Sequence, residues 1–338
     1  MNNRLNTENI PEVSILMSCY NGSRWLSEAI ESILIQTYKS FELLLVNDGS
    51  TDDTWNIIQF YKNLDNRIIA INKKNTGLAD SLNLGINMAR GRWIVRIDQD
   101  DICDTKRLEQ QINFLYKNPL VVLLGSGFVE IDDKNRILKK HKYPSQHNKL
   151  VRCLEKSKRF FPHSSACYRL DIVKEIGGYN TRIRRAEDRD LWLKFATKGK
   201  IACMSNYLVS IRKHSNQMSL ENNGQNQFCD AISSEVCYWL RKYGYQDPST
   251  CSNIIVWKKF HCWIEHRIED LGVFNNRKAW SLARVEYFSK KNRFISTLAF
   301  IIKLIQNQNS IGLIWEKIFG SNISKRLAIE WMKNNILK

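Results

Sequence analysis

No apolar run in the 338-residue chain approaches the ~20 residues that a bilayer crossing requires. The longest, Leu298 to Ile305, is short and contains Lys303. The opening segment, MNNRLNTENIPE, lacks the apolar core of a signal peptide, which predicts no export. No CxxC pair occurs, and the nine cysteines are scattered and odd in number. That argues against a zinc ribbon or a disulfide framework and for buried thiols in a reducing cytoplasm. GxGxxG, P-loop, GxSxG and HExxH motifs are missing as well, and no internal repeat is present. What is there is ordinary in bulk. Hydrophobic residues at 43% and charged residues at 25% exclude wholesale disorder and fibrous repeats, and the length suits one large domain with an extension, or two domains.

Acidic residues are scarce. Thirty-four Asp and Glu face 51 Lys and Arg, leaving a formal charge of +17 that attracts phosphates, whether on nucleotides, nucleic acid or anionic lipid. The excess is uneven. Residues 281–338 carry ten basic against three acidic residues, whereas 221–280 balance at seven against seven. Six of the ten tryptophans also lie beyond residue 220. Most of these fall among Ile and Leu at helical spacing and read as core.

The first hundred residues alternate short apolar runs with helical periodicity. Val13–Cys19, Glu42–Asn47, Arg67–Asn72 and Trp93–Asp98 read as strands; Trp25–Gln36, Asp52–Tyr61 and Leu78–Ala89 read as helices between them. This alternation predicts βαβ units and a parallel sheet covered on both faces. Further on, Thr105–Tyr116 reads as a helix, Leu120–Ile131 as a long strand and Ser157–Tyr168 as another strand. Asp188–Thr197 reads as a helix before a strand pair, Ile201–Met204 and Tyr207–Arg212. The polar stretch Ser215–Gln227 is the best linker, and helical periods follow it. The fold class expected is α/β: a mixed sheet flanked by helices over about 215 residues, with a helical, basic extension.

The sharpest chemical feature is Asp98-Gln99-Asp100-Asp101, three carboxylates in four residues at the C-terminal end of a strand, where open α/β sheets bind ligands. Such a cluster repels itself unless a cation or protons neutralise it, and oxygen ligands suit Mg2+ or Mn2+. A helix cap would need one acid, not three. Asn47-Asp48-Gly49-Ser50-Thr51-Asp52-Asp53 follows its strand in the same way, and serves equally as turn and capping chemistry. Glu187-Asp188-Arg189-Asp190 opens an apolar helix, where acids are favoured by the dipole and where a general base would be held rigidly. Arg212 and His214 close the domain, and a lone histidine is more often structural than a ligand. His261 and His266, five apart, do not share a helical face.

Taken in order, these segments resemble the family 2 glycosyltransferases, inverting enzymes of the GT-A fold. VSILMSCYNGSRWLSEAIESILIQTYKSFELLLVNDGSTDDT is similar to that family's first nucleotide-binding unit, and NTGLADSLNLGINMARGRWIVRIDQDD to the approach to its DXD motif. FPHSSACYR, IGGYN, AEDRDLWLKFATKGK and IRKHSNQMS are similar to the bacterial branch that builds surface polysaccharides such as O-antigen and capsule. The resemblance covers Val13 to Ser219 and leaves 221–338 uncovered. It implies a GT-A domain over 1–220, with 12–104 as the nucleotide-sugar half and 105–220 as the acceptor half, and 221–338 as the extension.

At matching positions the resemblance implies that Cys19, Tyr20, Asp48, Gly77 and Leu78 surround the uracil and ribose of a UDP-sugar. Asp98 would contact the nucleotide-sugar, Asp100 would hold a Mn2+ or Mg2+ ion bridging the diphosphate, and Asp188 would be the catalytic base. Arg212 and His214 would lie near the diphosphate. Ser18-Cys19 departs from the common Pro-Thr or Pro-Val, and Gln99 occupies the variable DXD position. The implied acceptor is a saccharide hydroxyl, on a polyprenyl-diphosphate carrier. The implied location is the cytoplasmic face of the membrane. Residues 281–338 combine their basic excess with the apolar runs Phe294–Ile305 and Ile311–Phe319, which predicts contact with anionic lipid; the alternative is helices packed on the catalytic domain or on a second subunit of a homo-oligomer. Two other classes compete. A nucleic-acid-binding protein explains the charge but not acidic clusters at strand ends, so no nucleic-acid partner is expected. An inactive sugar-nucleotide-binding relative would be expected to lack one of Asp48, Asp98, Asp100 or Asp188.

Overall fold

The structure, a computed structural model, describes residues 10–156, 158–214, 225–270 and 323–336. The chain divides into two compact units, residues 1–154 with 158–220, and residues 155–157 with 221–338.

The first unit is built on one nine-stranded sheet. Its strands are β1 (Val13–Cys19), β2 (Phe41–Asp48), β3 (Ile68–Lys73), β4 (Trp93–Arg96), β5 (Ile102–Cys103), β6 (Val121–Ile131), β7 (Ile137–His141), β8 (Cys167–Arg169) and β9 (Lys200–Arg212). Their order is β3-β2-β1-β4-β8-β6-β9-β5, with β7 on the flank of β6. The first four strands pair in parallel, β8 runs antiparallel between β4 and β6, and β6 runs parallel to β9. The crossovers are α1 (Leu26–Leu34), α2 (Thr54–Leu64) and α3 (Leu78–Met88); α4 (Arg107–Lys117), α5 (His147–Glu155), α6 (Leu170–Glu175) and α7 (Glu187–Phe195) follow.

β1 and β2 are buried at every position because helices cover both faces, which is why their sequences are apolar without alternation. The exceptions are paired. Buried Ser14 donates to Glu42 Oε1 at 2.6 Å, and Glu42 also accepts the main-chain N–H and the side-chain Nε–H of Arg90, each at 2.8 Å. α1 turns Leu26, Ala29, Ile30 and Ile33 inward, and α4 turns Leu108, Ile112 and Leu115 onto the same core.

Two expected elements differ. Ser157–Tyr168 is a strand only at its end: Pro162 lacks an N–H, and a 3-10 turn at His163–Ser165 closes on its carbonyl before β8 begins. The expected strand pair over 201–212 is one 13-residue strand, β9, because β6 pairs along its length and absorbs the polar Ser205-Asn206 interruption through register shifts at Ser126–Phe128.

The second unit shows α8 (Gln225–Lys242), α9 (Ile254–Asp270) and a further helix, α10 (Ile323–Ile336). Ile232, Val236, Leu240, Phe260, Ile264, Ile268 and Leu327 are buried in it. Trp239 and Trp257 are buried too, and Trp263 and Trp331 meet at 5.1 Å. The apolar runs 294–305 and 311–319 lie outside the described residues, as do Trp280, Trp315 and residues 215–224 of the expected linker; Gln225 already begins α8. Among the described residues, no helix is long and apolar enough to cross a membrane.

One buried cation ties the parallel half of the sheet to the antiparallel half. Arg107, fully buried in the first turn of α4, donates to the carbonyl of Arg96 at 2.9 Å and that of Ala166 at 3.3 Å, at the ends of β4 and β8. Arg107→Met keeps the stem but strands those carbonyls, and should cost about 2–4 kcal/mol in a denaturant titration. An unchanged midpoint would show that the fork contributes nothing.

Candidate active site

The C-terminal ends of β1, β2 and β4 converge where the sheet order turns, and the acidic turn Asp98–Asp101 leaves β4 there. Asp98 is held on two sides. Its N–H donates to Ser164 Oγ at 3.0 Å, Ser164 Oγ returns a bond to its carboxylate at 2.6 Å, and the buried Arg96 guanidinium pairs with it. Desolvation favours the acid form, but Arg96, His163 and the Ser164 hydroxyl bring the Asp98 pKa below its ordinary value. Asp100 and Asp101 move the other way. Burial raises both, and Asp98 raises both further, with Asp100 adding to Asp101. The turn thus holds one carboxylate below its ordinary pKa and two above it.

Arg212, at the end of β9, fastens this turn. Its N–H donates to Asp101 Oδ1 at 3.0 Å and its Nε to the Asp100 carbonyl at 3.1 Å. The rest of its fork reaches Asp132 O at 3.1 Å, Asn135 Oδ1 at 2.6 Å and Glu28 Oε2 at 2.6 Å. Two residues on, His214 Nε2 lies 2.8 Å from Asp100 Oδ2, its ring 4.4 Å from that of Trp25. His214 Nδ1 is buried and has no hydrogen-bond partner among the described residues. Also among these, no group of three or more His, Cys, Asp or Glu side chains is arranged to hold a metal by itself. Asp100 and His214 supply two adjacent donors.

Asp188 stands in the first turn of α7, its Oδ1 accepting the Arg189 N–H at 2.6 Å. Arg189 in turn caps α5 through the carbonyls of Cys153 and Leu154, at 3.2 and 2.6 Å, so the helix start is anchored. Burial raises the Asp188 pKa, and the Asp98 carboxylate raises it further, which puts the two acids within electrostatic reach of each other. Beside it, buried Glu187 is pushed up to about 8 by burial and by Asp188. Behind both lies His163, whose Nε2 is 2.7 Å from the Tyr179 hydroxyl and whose Nδ1 is 4.0 Å from Glu187.

The chain matches known proteins in sequence and in fold. A family model described as Glycosyl transferase family 2 covers residues 14–177. An uncharacterized glycosyltransferase of Haemophilus influenzae is 31% identical over 255 residues, spanning 70% of this chain and 77% of the relative. The chain belongs to glycosyltransferase family 2. It is therefore a nucleotide-sugar-dependent transferase. A glycosyltransferase of Methanocaldococcus jannaschii, also uncharacterized, is 30% identical over 254 residues, 74% of this chain and 85% of that one. Among solved structures, S. aureus TarS 1-349 in complex with UDP-GlcNAc gives a TM-score of 0.54 at 19% identity, over 68% of this chain and 66% of that one. The mannosyltransferase PcManGT from Pyrobaculum calidifontis, in complex with GDP-Man and Mn2+, gives 0.52 at 15%, over 96% and 88%. At such identities the likeness shows the fold, which is GT-A.

In this glycosyltransferase the residues singled out from sequence do not all face one space. Asp100 and His214 are in contact, and Asp98 lies within electrostatic reach of both Asp100 and Asp188. The Cys19 thiol is buried, which pushes it up to about 12, and it lies within electrostatic reach of Arg96 and Asp98. Tyr20 is 48% exposed at the rim. Asp48 is buried under the loop before α3, accepting the N–H of Thr76 at 3.0 Å and of Gly77 at 2.9 Å and pairing with Lys73. Gly77, at φ +103°, makes that loop, and Leu78 starts the helix. The Asp52 end of DGSTDD is turn chemistry: its carboxylate takes the N–H groups of Ser23 and Thr54, each at 3.1 Å.

Gln99 was read only as a variable position, yet its amide brackets the Tyr20 main chain, accepting its N–H at 2.8 Å and donating to its carbonyl at 2.9 Å. Gly22 permits this, because a Cβ there would sit 2.2 Å from Gln99 Oε1. Ser164, His163 and Tyr179 also adjoin these acids without standing out by residue type. Their signal was present in FPHSS and IGGYN, but not what those segments touch.

Glu187 generates a prediction with a definite sign. Its folded pKa of about 8 lies above its ordinary 4.5, so the folded state keeps a proton that the unfolded state has lost. The contribution is full below pH 4.5 and is lost as pH rises through about 8. Glu187→Gln, which mimics the protonated form, should match the wild type in melting temperature at low pH and exceed it by a margin that grows up to about pH 8. A margin independent of pH would mean that Glu187 is not held protonated.

Proposed function

We propose that this glycosyltransferase moves a hexose or N-acetylhexosamine from a UDP-sugar to a hydroxyl of a polyprenyl-diphosphate-linked saccharide, with inversion, in bacterial surface-polysaccharide synthesis. The observation that carries the reading is the pairing of Asp188, rigid at the start of α7 and raised in pKa, with the acidic turn Asp98–Asp101. The TarS complex with UDP-GlcNAc supports uridine as the nucleotide; the PcManGT complex supports a divalent cation and keeps guanosine as the competing donor.

The donor set fits a cation: a carboxylate and an imidazole 2.8 Å apart, beside acids raised by burial and by the Asp98 charge, would suit Mn2+ or Mg2+. When bound, that ion would offset charge on the departing UDP. Asp100 and His214 would hold it. Asp98, fixed by Ser164 and Arg96, would orient the sugar. Asp188 would accept the proton of the acceptor hydroxyl as that oxygen bonds to the anomeric carbon, from the side opposite UDP. The carbon–oxygen bond to the diphosphate breaks with its electron pair going to UDP, so a single displacement inverts the configuration. Arg212 contributes by fixing the turn, since its fork is committed to protein acceptors. The enzyme would work at the cytoplasmic face of the membrane as a peripheral protein, where such acceptors are held.

Asp188→Asn should lower kcat by orders of magnitude while calorimetric UDP binding survives; Asp100→Asn should weaken cation-dependent nucleotide binding as well. Near-normal turnover of Asp188→Asn, or full activity in excess chelator, would remove the assignment. Titrating UDP and GDP in the presence of Mn2+ decides the base: UDP should bind more tightly, and equal or tighter GDP would favour the PcManGT-like donor.

A further inference from the structure

Asp133 to Lys140, the turn and strand of the β6–β7 hairpin, are exposed without interruption. Between Lys134 and Lys142 the hairpin carries five cations (Lys134, Arg136, Lys139, Lys140, Lys142) and no acid. At its centre two apolar side chains stand in solvent, Ile137 at 63% and Leu138 at 57% exposure. The neighbouring acids are already engaged. Asp132 takes Arg136 at 2.6 Å, Asp133 faces Arg24 at 3.6 Å, and Glu130 takes His141 at 3.0 Å and Lys213 at 3.8 Å. Four lysines and an apolar pair therefore remain on one exposed element. Lysines alone would be explained as protection of an open sheet edge, but protection does not call for an exposed Ile-Leu pair.

The turn of the hairpin is held close to the site. Asn135, at φ +63°, accepts from Arg212 at 2.6 Å and donates to Glu28 at 2.5 Å, and the same Arg212 holds the Asp100 carbonyl. One arginine side chain separates the tip from the acidic turn.

We propose that the β6–β7 hairpin docks the enzyme on an anionic phospholipid surface. Lysine stems reach headgroup phosphates while Ile137 and Leu138 enter the headgroup–acyl boundary, the arrangement that amphipathic surface elements use. Nucleic acid fits less well: Lys140 and Lys142 lie over the Tyr207 ring, at 5.4 and 5.2 Å, so that aromatic face is not open for base stacking. The proposal extends the reading of a membrane-held acceptor, because docking there would bring the acidic turn to the headgroup level where a lipid-linked diphosphate lies.

The test uses the full chain in co-sedimentation with phosphatidylcholine vesicles, with and without phosphatidylglycerol. Wild type should bind the anionic vesicles and release with salt. Lys139→Gln with Lys140→Gln should weaken that binding about thirtyfold, the loss of two surface cations at roughly fivefold each. Ile137→Ser with Leu138→Ser should weaken it at constant charge, while Lys62→Gln with Lys117→Gln, exposed on α2 and α4, should leave it within about twofold. The proposal is overturned if wild type ignores anionic vesicles, if the hairpin variants bind as wild type does, if the control pair loses as much, or if the hairpin binds RNA more tightly than vesicles. Transfer to a soluble acceptor should be unaffected by all three pairs. Its absence in the wild type would sink the proposed reaction and leave the docking result standing.

Discussion

The guanidinium of Arg212 joins four pieces of chain that are far apart in sequence: the acidic turn, the β6–β7 turn, the first helix and the end of β9. It is 1% exposed, and a buried cation is tolerable only when its donors are satisfied, so each acceptor is placed by the others. Without it the Asp100 carbonyl, the Asn135 amide and the Glu28 carboxylate would lose their common partner, while the main-chain N–H of Arg212 holds the Asp101 carboxylate from the same residue. The site's shape depends on this one fork more than on any carboxylate in it.

Arg96 plays the complementary electrostatic part. Fully buried beneath the turn, it pairs with Asp98 and lowers that acid, while the like charges of Asp100 and Asp101 go unrelieved and rise. One arginine below and one beside thus split three chemically similar carboxylates into one that stays ionised and two that bind a cation or a proton more readily. Glu187 and Asp188 do not divide in this way: burial raises both, and the Asp188 charge adds to the rise of Glu187, which reaches about 8.

Much of this was legible from residues alone. β1 appears at the bounds its apolar run suggests, and α3 starts at Leu78 after a glycine with positive φ. Asp98, Asp100 and Asp188 stood out because clustered acids at strand ends and helix starts are conspicuous in so basic a chain. Arg212 and His214 were legible as positions but not as roles. Cys19 and Asp48 were legible as strand ends, but whether a side chain at such an end faces ligand or core depends on the pleat and on the loop above it. The long β9 and the shortened β8 escaped for a related reason: a strand continues or stops according to the partner beside it, here β6 and the Pro162 turn.

The amino-acid order already specifies the alternation of strands and helices, the parallel first half of the sheet and the acidic clusters at strand ends and helix starts. These follow from local periodicity and from residue type, which act over a few neighbours. Tertiary structure alone decided which groups neutralise which. Gln99 meets Tyr20 across 79 positions, and Arg212 meets Glu28 across 184. Hydrogen bonds and charges act through space over a few ångströms, and chain separation says nothing of that distance until the sheet has brought the strand ends together.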